Sequence, residues 1–188
     1  MNTAILIGTA TTLLTGLGVG GYFINDYLSE RIDARLQGTK ITGDADWGKK
    51  IIAIKAKTKE LVADLARLTE AKELENWCNT NYNAKFKEYE DLRFKNVQTY
   101  CIYNNKDKLN KPIEAGGDWS KSKQALKDKT PVKDLSSNMQ KIKAELTAQP
   151  TPNENALKNW CLSYYDEVWE NSSSKSFTEA SEYCVTKD

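Results

Sequence analysis

The sequence predicts an all-α protein: an N-terminal transmembrane helix followed by two homologous helical repeats, each an amphipathic helix plus a disulfide-stapled helical hairpin. Three observations predict it. Leu74-x-Asn76-Trp77-Cys78, continuing through Tyr82 and Phe94 to Tyr100-Cys101, recurs without a gap as Leu157-x-Asn159-Trp160-Cys161, Tyr165, Phe177 and Tyr183-Cys184. The interval from Cys78 to Cys101 equals that from Cys161 to Cys184, and these are all the cysteines of the chain. Residues 4–24 contain no charged side chain, although 28% of the whole chain is charged. Identity at a fixed period marks an internal duplication and outranks local signals.

The first element is the uncharged run. From Ala4 to Ile24, with Ile5, Leu6, Ile7, Leu13, Leu14, Leu17 and Phe23 among its residues, it is long enough to cross a bilayer once as a helix. No basic n-region precedes it, so an uncleaved anchor over residues 1–26, contacting the lipid bilayer through residues 4–24, fits better than a removed signal peptide. Gly16 to Gly21 satisfies G-x-G-x-x-G, but no series of βαβ units accompanies it, so a dinucleotide site is not expected. Residues 27–46 read as a juxtamembrane spacer. Arg31 and Arg35 follow the anchor, and a literal positive-inside count would keep the bulk of the chain in the cytoplasm. Cysteine usage argues the reverse, since disulfides persist in oxidising compartments, and residues 27–188 are placed outside the cell membrane.

Repeat 1 is assigned to residues 47–103. Ile51, Ile54, Leu61, Leu65 and Leu68 form an apolar helical stripe with lysines between them. The hairpin follows, with Glu88 to Asp91 at the midpoint of the cysteine interval and Asp91 as N-cap of the second arm. Residues 104–117 are polar, interrupted by Pro112, and read as a linker. Repeat 2 is assigned to residues 118–188. Thr130-Pro131 reads as N-cap and N1 of a helix marked by Leu135, Met139, Ile142 and Leu146. Its hairpin turns at Asn171 to Ser174, and Ser176-x-x-Glu179 reads as a capping box opening the last arm. The stretch from Trp119 to Trp160 is longer than that from Trp47 to Trp77, which places the extra length of the second repeat in its Pro-bearing turns.

Four cysteines allow three pairings. A repeated unit that staples itself keeps its bridge through copying, which favours Cys78 with Cys101 and Cys161 with Cys184; buried reduced thiols are the alternative. Trp77, Tyr100, Trp160 and Tyr183 adjoin the cysteines at duplicated positions and are expected to pack over the bridges. Tyr89, Tyr103, Tyr164 and Trp169 are not shared between the copies and are the candidate contact residues.

No histidine is present, which removes imidazole bases, His-dependent triads and His metal ligands. No C-x-x-C pair supports zinc. No catalytic, cofactor-binding or metal-binding residues are assigned, and an enzyme is not expected. The net charge of +1 argues against nucleic acid as a partner.

The glycine-rich anchor at Gly16 to Gly21, the Lys-rich helical body, Trp47 and Trp119, and the repeated Trp77-Cys78, Tyr100-Cys101, Trp160-Cys161 and Tyr183-Cys184 resemble the paralogous families of uncharacterised membrane-anchored proteins of haemotrophic mycoplasmas. The resemblance implies a surface-displayed protein used in host contact or antigenic variation, with a host-surface protein or glycan as partner. It supplies no catalytic residues. Two other readings stay open beside it: a cytoplasmic-facing scaffold with reduced cysteines, and an unrecognised hydrolase.

Overall fold

The computed structural model describes residues 30–56 and 60–187. The predicted anchor over 4–24 lies outside them. Among the described residues no helix is long and apolar enough to cross a membrane. The chain divides after Glu30, and the folded unit begins at Arg31. It is mostly helical, joined by isolated β-bridges and two disulfides.

The first half contains α1 (Asp44–Ala56), α2 (Ala71–Tyr82) and α3 (Leu92–Tyr100), preceded by a 3-10 turn at Ile32–Ala34. The second contains α4 (Asn105–Lys108), α5 (Ser120–Asp128), α6 (Ser137–Thr147), α7 (Ala156–Asp166) and α8 (Lys175–Tyr183). Their ends are set by local chemistry. The Asp91 carboxylate accepts from the Arg93 and Phe94 N–H groups at 2.9 and 3.1 Å and starts α3, as its sequence position predicts. Glu73 reaches back to the N–H groups of Thr69 and Glu70 at 2.8 and 3.1 Å and starts α2.

Three sequence-predicted boundaries are corrected. The stripe from Ile51 to Leu68 is not one helix: α1 ends at Ala56, and Leu65 reaches the core from a separate turn. The N-cap of α6 is Ser136, whose Oγ accepts from the Met139 N–H at 3.2 Å, rather than Thr130. The N-cap of α8 is Ser174, which accepts from the Phe177 N–H at 3.1 Å, leaving Glu179 free for a different task.

Two cores form. One gathers Trp47, Ile51, Ile54, Leu65, Leu74, Trp77, Phe94, Val97 and Tyr100 around the first bridge. The other gathers Trp119, Leu126, Met139, Ile142, Leu146, Leu157, Phe177 and Tyr183 around the second. In the first, α1 packs on α2; in the second, α5 packs on α6 and α8, and α6 on α7.

A matched set of backbone pairings frames both. Arg31 pairs with Lys85 and Lys40 with Ile102 in antiparallel bridges; Asn104 pairs with Val168 and Pro112 with Val185. Ile32 N–H donates to the Ala84 carbonyl (2.9 Å) as Asn105 N–H does to Glu167 (3.0 Å). Ile41 N–H donates to Cys101 (3.0 Å) as Ile113 N–H does to Cys184 (2.9 Å). The segment after each hairpin's first arm is therefore extended and paired, where the sequence predicts a tight helix-to-helix turn.

These pairings correct the predicted spacer and linker. Residues 104–117 do not connect two bodies. Asn105, Leu109 and Ile113 are buried, the last two in the second core, and α4 packs on α7. Residues 31–46 likewise bury Ile32 and Ile41 in the first core. Polar composition hides both segments because each contributes only two or three apolar side chains, and its backbone is satisfied by bridging rather than by a helix.

Candidate functional site

The disulfides join Cys78 to Cys101 and Cys161 to Cys184, with Cα atoms 5.7 and 5.6 Å apart. All four cysteines are fully buried, and each bridge ties the interior of a first arm to the C-terminal cap of its partner. A tyrosine sits over each. The Tyr82 hydroxyl donates to the Cys101 carbonyl at 2.9 Å, and the Tyr165 hydroxyl donates to the carbonyls of Cys184 and of Ile113 (3.2 Å to the latter). Burial pushes both phenols up to about 12.

Of the four aromatics expected over the bridges, Trp77, Tyr100 and Tyr183 are buried. Trp160 corrects the expectation: it is only half-buried and lies flat on Tyr164, ring centroids 5.1 Å apart and planes 6° from parallel. The cause is visible at the matched positions. Trp77 is held by Asp64, whose carboxylate accepts from its indole N–H at 3.0 Å. Arg93 closes the group with bonds to Asp64 at 2.7 and 3.2 Å and to Asn81 Oδ1 at 2.7 Å. Burial alone would raise the Asp64 carboxyl, yet the Arg93 and Trp77 hydrogen bonds bring it below its ordinary value. At the corresponding positions of the second cysteine interval Tyr164 stands in place of Asn81 and Ser176 in place of Arg93, so the polar clamp is gone and an aromatic stack stands in its place.

The candidate contact residues also divide. Tyr89 is exposed, at 51%. Tyr103 and Tyr164 are buried instead, and Trp169 is half-buried against both cores. Tyr103 and Trp169 form a seam between the halves. Trp169 N–H donates to the Tyr103 carbonyl at 3.0 Å, and the Tyr103 hydroxyl donates to Asp46 at 3.0 Å. Lys108 Nζ lies 3.2 Å from the Tyr103 ring centroid and 5.1 Å from that of Trp169, within cation–π range of both. What these two unshared residues contact is the other half of their own chain.

Sequence reasoning misses the buried polar groups of the seam and caps. Lys50, 4% exposed, makes a 2.7 Å ion pair with Asp107 and donates to the Thr99 carbonyl at 3.0 Å. Burial lowers its pKa, with Asp107 partly offsetting. Asn96 accepts from the Val62 N–H at 2.8 Å and donates to the Glu60 carbonyl at 2.9 Å. Glu179, 2% exposed, accepts from both the N–H and the hydroxyl of Ser136 at 2.6 Å. Asn96 and Glu179 lie at the same interval before Cys101 and Cys184, which is the one signal the sequence offers for them: a polar side chain at the same place on each apolar face.

Among the described residues no cluster of His, Cys, Asp or Glu is arranged to hold a metal ion. The chemistry on display is packing, stapling and capping. Comparison with protein families, curated proteins and solved structures finds no match for this chain.

Proposed function

We propose that the chain is a membrane-anchored protein displayed outside the cell, built from two tandem copies of one disulfide-stapled helical unit, and acting as a non-enzymatic host-interaction or antigenic module. The observation that carries this reading is the pair of disulfides, each closed within its own half, together with the uncharged run over 4–24. Intrachain bridges of this kind persist where thiols are oxidised, and an uncharged run of that length suffices for one bilayer crossing. The matched β-bridges support placing the start of each copy at Arg31 and Asn104, so that the second unit follows the first without a spacer. The exposed charged faces of the helices are what such a unit offers a partner.

Protease added to intact cells tests the placement. Epitopes beyond residue 40 should disappear while the anchor fragment stays with the membrane fraction. Complete protection until lysis would refute display and favour the cytoplasmic-facing scaffold.

A further inference from the structure

Large apolar side chains are well exposed at only a few of the described positions, and two of these, Tyr89 and Leu92, flank the start of α3. Phe86, Tyr89 and Phe94 form a three-ring cluster with centroids 5.1 to 5.4 Å apart, every pair edge-on. Phe94 is in the core, Phe86 is half-buried and Tyr89 projects into solvent. The cluster is thus an apolar prominence rooted in the fold. Its loop is held in place: Arg31 bridges to Lys85 and donates to the Asn83 carbonyl at 3.1 Å. The face therefore lies beside Arg31, where the folded unit begins.

The length of chain before Arg31 narrows what can cover this face. Only residues 25–30 separate the uncharged run from Arg31. At about 3.5 Å per extended residue they span at most about 20 Å. If residues 4–24 cross the bilayer, as proposed above, Arg31 stays within that reach of the membrane surface, with the loop that starts at Lys85 bridged beside it. Charge does not draw the face inward, because residues 30–35 and 84–91 together hold four cations and five acids. Its chemistry is interfacial: tyrosine settles at headgroup depth, phenylalanine and leucine reach toward the acyl boundary, and Lys85 and Lys87 can snorkel outward.

The geometry points to the Phe86, Tyr89 and Leu92 face resting in the headgroup–acyl boundary of the bilayer that holds the chain's own anchor, as a second contact that orients the folded unit. This inference rests on the anchor reading, and its test separates the two. The full chain is reconstituted into phosphatidylcholine vesicles with Tyr89→benzoylphenylalanine, and in parallel with Val132→benzoylphenylalanine as a comparably exposed control on another element. Photo-crosslinking to lipid should be at least about tenfold greater at position 89, the factor that removal of one large apolar side chain from water supplies. Adding phosphatidylglycerol should leave that ratio unchanged. Equal yields at the two positions, or crosslinking at 89 that appears only with phosphatidylglycerol, overturn the inference while leaving the anchor standing. Loss of the chain from the vesicles on alkaline carbonate washing overturns the anchor and the inference together.

Discussion

Glu179 presents a contest between two opposed effects, and its replacement decides which prevails. A buried carboxylate is costly to desolvate, and replacing buried charge by a hydrophobe is often neutral or stabilising. Here, however, both oxygens accept from Ser136 at 2.6 Å, and Ser136 is itself the N-cap of α6 through its bond to Met139. Glu179→Leu removes two charge-assisted hydrogen bonds worth about 1.5 to 3 kcal/mol each and leaves the Ser136 N–H without its acceptor. Relief of carboxylate desolvation returns part of that, so a net loss of about 2 to 4 kcal/mol is expected. Glu179→Gln keeps the shape and one acceptor and should cost about 1 to 2 kcal/mol. At about 2 to 4 °C per kcal/mol for a chain of this size, the leucine variant should melt roughly 10 °C lower. Circular dichroism melts under non-reducing conditions report the order wild type, glutamine, leucine. A leucine variant as stable as wild type would refute the reasoning, because it would mean that α6 does not depend on this cap.

The two duplicated tryptophans should behave differently, with Trp77→Ala costing about 3 to 5 kcal/mol and the half-buried Trp160→Ala clearly less in denaturant titrations; equal losses would contradict the difference in burial. Gly38 has φ of +90°, and a Cβ there would collide with the Val168 side chain and lie 2.9 Å from Ile102 Cγ2, so Gly38→Ala should destabilise by more than about 1 kcal/mol and loosen the seam to limited proteolysis. Tyr82 and Tyr165 have folded values raised above the unfolded value near 10, so the stability they contribute is complete below about pH 10 and is lost as pH rises toward about 12. Near-ultraviolet absorbance titration should show the Tyr82→Phe, Tyr165→Phe double variant with two fewer late-ionising tyrosines, Tyr183 remaining among them through its burial, and its alkaline unfolding less steep.

What is legible in the sequence follows from what repeats and what is apolar. The cysteine pairs and the helical hairpins can be found because the same cysteine separation of 23 occurs twice with the same aromatic companions. The Asp91 cap is legible because its chemistry is local. Ser136, Glu179, Lys50 and Asp107 are not, since each is defined by a partner far away in the chain and composition reads them as surface. Trp160 departs from its expected place because matching identity does not carry matching environment with it, and its neighbours at 164 and 176 differ from those of Trp77. The predicted anchor over residues 4–24 lies outside the described residues.

The register of the paired bridges bears on how far the two halves are equivalent. In the first half Gly38, Ile102 and Tyr103 make the seat that receives Val168 and Trp169. Matching Lys40 with Pro112 and Ile102 with Val185 puts Asn110, Val185 and Thr186 in the corresponding places of the second half. A side chain now stands where the seat needs none, and threonine replaces the ring that stacks with Lys108. The close approach that Gly38 permits to Val168 therefore has no counterpart at Asn110, and the two halves of the chain are not interchangeable at their seam.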